Sequence, residues 1–106
     1  MIVIVIFAPL PHADTVRQAL AAAGAGSLGT YSACSFSAPG EGRFRPEAGA
    51  TPTIGQVGDL EVVDEVRIEA VCERSKAKAA LTAALAAHPY EEVAYHCYEA
   101  LTLEDL

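Results

Sequence analysis

The 106-residue chain contains no tryptophan, and its phenylalanine and tyrosine together make up only 7% of it. A core with so few large rings depends on close packing of small aliphatic side chains, which is typical of helices laid on a sheet. Cationic residues are also scarce, since 7 lysines and arginines stand against 14 aspartates and glutamates. The resulting formal net charge of -7 repels phosphate backbones and anionic lipids, so nucleic acids and membranes are not expected partners.

The three cysteines, Cys34, Cys72 and Cys97, form no CxxC pair. An odd number without paired spacing argues against a secreted disulfide framework and favours reduced thiols. The sequence also lacks a basic leader and any apolar run of the roughly 20 residues that span a bilayer. We therefore expect a protein that stays in the cytoplasm.

Apolar periodicity predicts a single domain over residues 1–106, in which strands and helices alternate. The segment 38–58 between the second and third strands is rich in glycine and is predicted to be a long loop, within which residues 42–46 can form a short extra hairpin. This order indicates an α+β fold, a ferredoxin-like βαββαβ sandwich. Strands are predicted over 1–7, 30–37, 61–72 and 93–99, with helices from about 12 to 24 and from a cap at Ser75 to 88.

Both predicted helices cover the same face of the sheet, which leaves the other face without cover. For a small chain with alternating strands, the expected cover for that face is another copy of the same chain. We therefore predict a homo-oligomer whose ligand pocket forms at the seam between subunits.

Residues 88–92, with the sequence HPYEE, bring an imidazole, a phenol and two carboxylates to the junction of the second helix and the last strand. Imidazole and carboxylate groups are good ligands for zinc and similar divalent ions. His88, Glu91, Cys34 and His12 are accordingly the candidate metal ligands. A structural role competes for His88, because it lies on the apolar stripe and can hydrogen-bond the helix end.

Cys34 allows a second hypothesis, a thiolate–imidazole site with His12 or His88. The competing interpretation is a small buried hydrophobe, the commoner role of a free cysteine in a strand. No spacing of cysteine, histidine and aspartate in the sequence is specific enough to indicate a nucleophile.

Arg43 and Arg45 lie among the glycines of segment 38–58 and are candidate charge partners for an anionic ligand. No GxxxxGK[ST] or GxGxxG motif supports a phosphate site, and a loop that clamps a neighbouring subunit explains the glycines equally well. Glu65, Arg67 and Glu69 alternate along one face of the third strand and are interpreted as an ion-pair ladder.

Four motifs occur in an order and spacing that together identify a family. They are HAD at 12–14, GAGSLGTYSACSF at 24–36, GRFRP at 42–46 and HPYEEVAY at 88–95. Together they resemble the YqfO domain, which is inserted in many bacterial members of the Nif-three-like family and is also found alone. The resemblance covers nearly the whole chain.

The resemblance implies a fold similar to CutA and PII proteins, trimers of ferredoxin-like subunits whose ligands bind between subunits. A homotrimer is therefore expected. Longer family members surround this domain with a dinuclear metal domain often labelled GTP cyclohydrolase-like. We expect this chain to be the standalone form, so neither that metal centre nor the hydrolase label is transferred. The ligand-binding candidates that occupy motif positions are Tyr31, Cys34, Phe36, Phe44, Pro46, His88, Tyr90, Glu91 and Glu92, to which Arg45 is added for its charge.

Three functions remain in competition. The first, which we expect, is a non-enzymatic regulatory module that senses a small ligand or divalent metal where the loop of one subunit meets the 88–92 corner of its neighbour. The second is a protein-interaction module that docks on a Nif-three-like protein or another partner. The third is a minor hydrolase or redox activity that uses Cys34 or His88.

Overall fold

The computed structural model describes residues 1–106 and contains one four-stranded antiparallel sheet with two helices. The strands lie in the order β2-β3-β1-β4, so β1 and β3 are central. This arrangement confirms the predicted ferredoxin-like βαββαβ sandwich. The elements are β1 (Ile2–Pro9), α1 (Ala13–Ala22), β2 (Phe36–Phe44), β3 (Glu61–Cys72), α2 (Arg74–Ala87) and β4 (Tyr95–Glu99), with 3-10 turns at Leu10–His12 and Leu103–Asp105.

None of the helices combines the length and the apolar content that crossing a membrane requires.

The core lies between the two helices and one face of the sheet. Ile4 and Ile6 of β1 point at the helices and are fully buried, and Ile6 pairs across the ladder with buried Ile68 of β3. Opposite them α2 contributes two fully buried alanines, Ala80 and Ala84. Because these helix side chains are so short, the helix can approach the sheet closely, as the composition predicted.

The prediction for the third strand is confirmed, since β3 spans Glu61–Cys72. Val66 and Ile68 face the core, while Arg67 and Glu69 lie on the opposite face. The helices agree with their predicted extents to within about two residues. The predicted cap of α2 is wrong, however, because Ser75 lies inside the first turn.

The prediction of a second strand over residues 30–37 is wrong. Ala33 has a φ of +57°, a left-handed conformation that cannot continue an extended strand, and the strand begins only at Phe36. It continues through Pro39, which an edge strand tolerates because one side of its ladder is unpaired. The alternation of small residues before Phe36 therefore imitated a strand without forming one.

The predicted loop over 38–58 is shorter at its start than expected. Residues 40–44 extend β2 and pair with residues 61–65 of β3, so the hairpin near 42–46 is the outer part of the β2–β3 hairpin itself. The loop proper covers residues 45–60. Because β1 ends opposite Glu65, the outer part of this hairpin projects beyond the central strand.

The sheet face opposite the helices, here called the open face, is covered by neither helix. Phe36 and Tyr98 lie on it with 64% and 46% of their surface exposed. Between them Arg67 pairs with Glu69 at 3.1 Å, which confirms one step of the predicted ion-pair ladder. The open face therefore combines exposed aromatic rings with a charged row.

Gly26 is required where the chain passes close to its own backbone after α1. Its φ is +84°, and a Cβ atom there would collide with the carbonyl oxygen of Cys34. We expect Gly26→Ala to lower the free energy of unfolding by about 2–4 kcal/mol, because it adds both left-handed strain and a backbone collision.

Gly29→Ala is the matched control, since Gly29 is also left-handed but has open space where the methyl would go. Its cost should be only about 1–2 kcal/mol. Urea unfolding of the two variants measures the difference, and equal losses would show that the collision is relieved at no cost.

Candidate functional site

A cavity of about 320 Å³ lies at the end of the sheet where the β2–β3 hairpin projects past β1. That volume is within the range of small-molecule sites. Its wall combines aromatic rings with charged side chains, chiefly Phe7, Phe44, Arg45, Glu65, Tyr90 and Glu92. Of the ten predicted ligand-binding residues, six line the cavity, namely Phe44, Arg45, Pro46, Tyr90, Glu91 and Glu92. The other four, Tyr31, Cys34, Phe36 and His88, do not line it.

The loop over residues 45–60 meets the 88–92 corner through two hydrogen bonds. The Thr51 N–H donates to Glu91 Oε1 at 2.8 Å, and the Thr53 hydroxyl donates to the Pro89 carbonyl at 2.7 Å. The prediction that the loop reaches the corner of a neighbouring subunit is therefore corrected. Loop and corner meet within one chain, because the projecting hairpin carries the loop past the end of β1.

His88 is buried behind the cavity, and both of its ring nitrogens are occupied. Nε2–H donates to the Phe7 carbonyl at 2.7 Å, and Nδ1 accepts the Tyr90 N–H at 3.1 Å. A carbonyl only accepts and a backbone N–H only donates, so these contacts select the neutral Nε2–H tautomer. Burial lowers the pKa of His88 below its ordinary value, against the opposing effect of the Phe7 hydrogen bond.

Tyr90 projects from the corner into the cavity wall. Its hydroxyl donates to Glu65 Oε2 at 3.1 Å, and its ring centroid lies 5.8 Å from that of Phe44 and 5.0 Å from that of His88. Burial, followed by the nearby Glu65 carboxylate, raises the pKa of Tyr90 to about 12. The phenol therefore keeps its proton at neutral pH and acts as a hydrogen-bond donor.

Glu65 and Phe7 line the cavity although the sequence assigned neither to a site. The sequence pattern predicts Glu65 to be part of an ion-pair ladder, but the Glu65 carboxylate accepts a hydrogen bond from Tyr90 instead. Phe7 is the last residue of the first predicted strand, over residues 1–7. The feature that could have identified them is their position, since both lie near the place where the pairing of β1 with β3 ends.

Tyr31, Cys34 and Phe36 lie away from the cavity. Phe36 begins β2 and Phe44 ends it, so the two rings are separated by roughly 26 Å of strand. Tyr31 is 73% exposed in the turn that follows α1. Cys34 is half-buried, and its Sγ lies 3.8 Å from a backbone carbonyl two residues earlier.

The candidate metal ligands do not form a cluster. No group of three or more histidine, cysteine, aspartate and glutamate side chains is placed to hold a metal ion. His88 is occupied by backbone groups, Glu91 accepts the Thr51 N–H, and His12 ends the turn before α1. The predicted metal site of His88, Glu91, Cys34 and His12 is therefore not supported by their placement.

Comparison with known proteins identifies relatives over most of this chain, although no family model matches it. The GTP cyclohydrolase 1 type 2 homolog of Bacillus subtilis is 50% identical over 93 residues, which cover 88% of this chain and 25% of that protein. The protein of the same name from Mycobacterium tuberculosis is 45% identical over 94 residues, with 89% and 25% covered. A solved structure of a Bacillus cereus protein related to NIF3 matches with a TM-score of 0.79 and 46% identity, over 92% of this chain and 24% of that one.

The chain is a homologue of one domain of the NIF3/YqfO family. It spans about a quarter of the length of the curated relatives that it matches. The resemblance drawn from the four sequence motifs is thereby confirmed.

CutA from Xylella fastidiosa is similar to this chain in fold. Its TM-score is 0.66 at 20% identity, over 98% of this chain and 88% of that one. At that identity the likeness extends to the ferredoxin-like architecture alone.

Acidification should destabilise the domain through His88. Because folding lowers the pKa of His88 from its ordinary value of 6.5, the unfolded chain binds the proton first. The stability contributed by neutral His88 is therefore complete above the unfolded pKa and is lost as pH falls through the folded pKa. We expect the free energy of unfolding to fall as the pH is lowered from about 7.5 through the unfolded-state pKa of 6.5 and below.

Urea unfolding across this pH range measures the effect. His88→Asn should flatten the dependence, while His96→Asn, which changes an exposed imidazole on β4, serves as the control. A wild-type slope that survives in His88→Asn would assign the dependence to other groups.

Proposed function

We propose that this chain is a non-enzymatic regulatory domain that senses a small molecule in the cavity between its loop and its 88–92 corner. The observation that carries the proposal is the cavity itself, about 320 Å³ and walled by the rings of Phe7, Phe44 and Tyr90. Ligand sites are commonly concave, partly aromatic and supplied with a few polar groups. This cavity has each of those features.

The state of the nearby ionisable groups supports binding rather than catalysis. His88 uses both ring nitrogens to bind backbone groups, and the Tyr90 phenol keeps its proton and donates it in a hydrogen bond to the Glu65 carboxylate. Farther from the cavity, burial raises the pKa of the Cys72 and Cys97 thiols, which disfavours the reactive thiolate there. A general base or nucleophile would need a group free to exchange a proton.

A regulatory output is supported by the way in which the cavity is built. Residues 45–60 form one wall and residues 90–94 another, and the two hydrogen bonds from Thr51 and Thr53 connect the loop to the corner. A ligand that contacts both walls favours the docked loop by its differential affinity for that state. Ligand binding in the cavity thereby changes the surface that the loop exposes.

We also propose that the domain acts as a homo-oligomer in the cytoplasm. Exposed Phe36 and Tyr98 on the open face support self-association, and a homotrimer is the stoichiometry that the family resemblance implies. Three unpaired cysteines support a reducing compartment.

The same open face favours a second function, docking on a protein partner such as another NIF3-related protein. Its exposed rings and its Arg67–Glu69 pair are typical components of an interface. The two functions can be tested separately, because Phe36 and the cavity residue Phe44 lie on the same sheet face but at opposite ends of β2.

A thermal and chemical unfolding screen against metabolites tests the sensing function. A true ligand at about 100 times its Kd should raise the free energy of unfolding by about 2.7 kcal/mol. Phe44→Ala should weaken the binding of that ligand by at least about tenfold, because it removes an aromatic contact. Phe36→Ala, on the same strand outside the cavity, is the control and should bind normally.

A screen in which no metabolite stabilises the protein would contradict the sensing function. Equal loss of binding in Phe44→Ala and Phe36→Ala would show that the ligand does not bind specifically in the cavity.

Sedimentation velocity tests self-association. The wild-type protein should sediment with the mass of three chains at micromolar concentration. Phe36→Glu and Tyr98→Glu should dissociate it, because a carboxylate on the open face must be desolvated at the interface. Lys78→Glu, on the exposed side of α2, is the control for added negative charge. A wild-type monomer would contradict the proposed assembly.

A further inference from the structure

Glu65 lines the cavity and has one carboxylate oxygen that accepts no hydrogen bond within the chain. Its Oε2 accepts the Tyr90 hydroxyl, while Oε1 lies against the backbone of Gly42, where any added Cβ would collide with it. Gly42 does not have a left-handed backbone, so its conformation alone does not require glycine. What the missing side chain provides is room for the Glu65 carboxylate on the cavity wall.

The charges around the cavity do not balance. Arg43 is already engaged with Glu41, at 2.7 Å between Nε and Oε2, and both of those side chains are more than half exposed. Arg45 forms no ion pair. Against these two cations the lining includes four carboxylates, those of Glu47, Glu65, Glu91 and Glu92. The excess of negative charge favours a cationic occupant.

The aromatic walls restrict the shape of that occupant. The rings of Phe44 and Tyr90 meet at 60° with their centroids 5.8 Å apart, and Phe7 lies on the neighbouring wall. Aromatic faces attract cations and pack well against flat groups. A compact metal ion would gain little here, since no cluster of three ligating side chains is present.

We propose that Glu65 is the specificity-determining residue of the cavity and that it selects a flat organic cation, whose N–H donates to the free Glu65 oxygen while its ring packs against Phe44. This inference rests on the proposed ligand-sensing function and names the chemical class of the ligand. Tyr90 acts as a positioning residue, because it fixes the other oxygen of Glu65.

Titration of the full chain with three matched probes, benzamidine, benzamide and benzoate, tests the inference. The probes share a ring and differ in charge, so they separate charge selection from simple burial of a ring. Benzamidine should bind at least about tenfold more tightly than either of the others, as expected for a charge-assisted hydrogen bond. Chemical-shift changes at Phe44 and Tyr90 locate the bound probe.

Glu65→Gln should reduce benzamidine affinity about tenfold while leaving benzamide affinity nearly unchanged. Glu69→Gln removes a carboxylate from the same face of β3 outside the cavity, and it should have no effect. Gly42→Ala is a second route to the same result, because its methyl group displaces the carboxylate without removing it. Circular dichroism confirms that each variant is folded.

Full benzamidine affinity in folded Glu65→Gln would overturn the inference, as would benzoate binding as tightly as benzamidine. Tight, Phe44-dependent binding of benzamide or benzoate would support the ligand-sensing function while overturning cation selection. Failure of all three probes to bind would also overturn the inference, and the metabolite screen then decides separately whether the sensing function survives.

Discussion

The imidazole of His88 is the constraint on which the candidate site depends. It is held between the carbonyl of Phe7 and the N–H of Tyr90, so it connects the end of a central strand to the corner that follows α2. Each hydrogen bond stabilises by only about 1 kcal/mol, but losing a partner would leave a buried polar group unsatisfied at a cost of about 1–3 kcal/mol. The geometry is therefore stringent, and it places the Tyr90 phenol beside Glu65.

Around this fixed point the remaining walls come from a less regular part of the chain. The outer part of the β2–β3 hairpin extends past β1 and does not pair with it. The loop over residues 45–60 is instead held by a contact between Pro46 and Gly58 at its base and by contacts with the 88–92 corner. The Gly58 N–H donates to the Pro46 carbonyl at 2.8 Å, while Thr51 and Thr53 bind the corner. The loop is thus positioned by a rigid layer of sheet and helices, an arrangement that is common in binding surfaces.

The sequence predicted the parts of this structure that periodicity controls. β1, β3 and both helices follow strong apolar patterns, whereas the second strand was misplaced because small alternating residues before Phe36 imitated it and the left-handed Ala33 left no trace in the pattern. In the site, composition identified the 88–92 corner but not its partners. Glu65 reaches Tyr90 only through the pairing of distant segments. His88 hydrogen-bonds two backbone groups, and backbone partners cannot be predicted from a pattern of side chains.

The division between sheet and loop also bears on how such a domain diversifies. Residues 45–54 supply about half of the cavity lining, yet they contribute no strand or helix to the fold. Sequence drift in that short stretch can change the shape of the cavity while the sheet and helices are retained. Similarity of the backbone fold therefore does not imply similarity of the cavity.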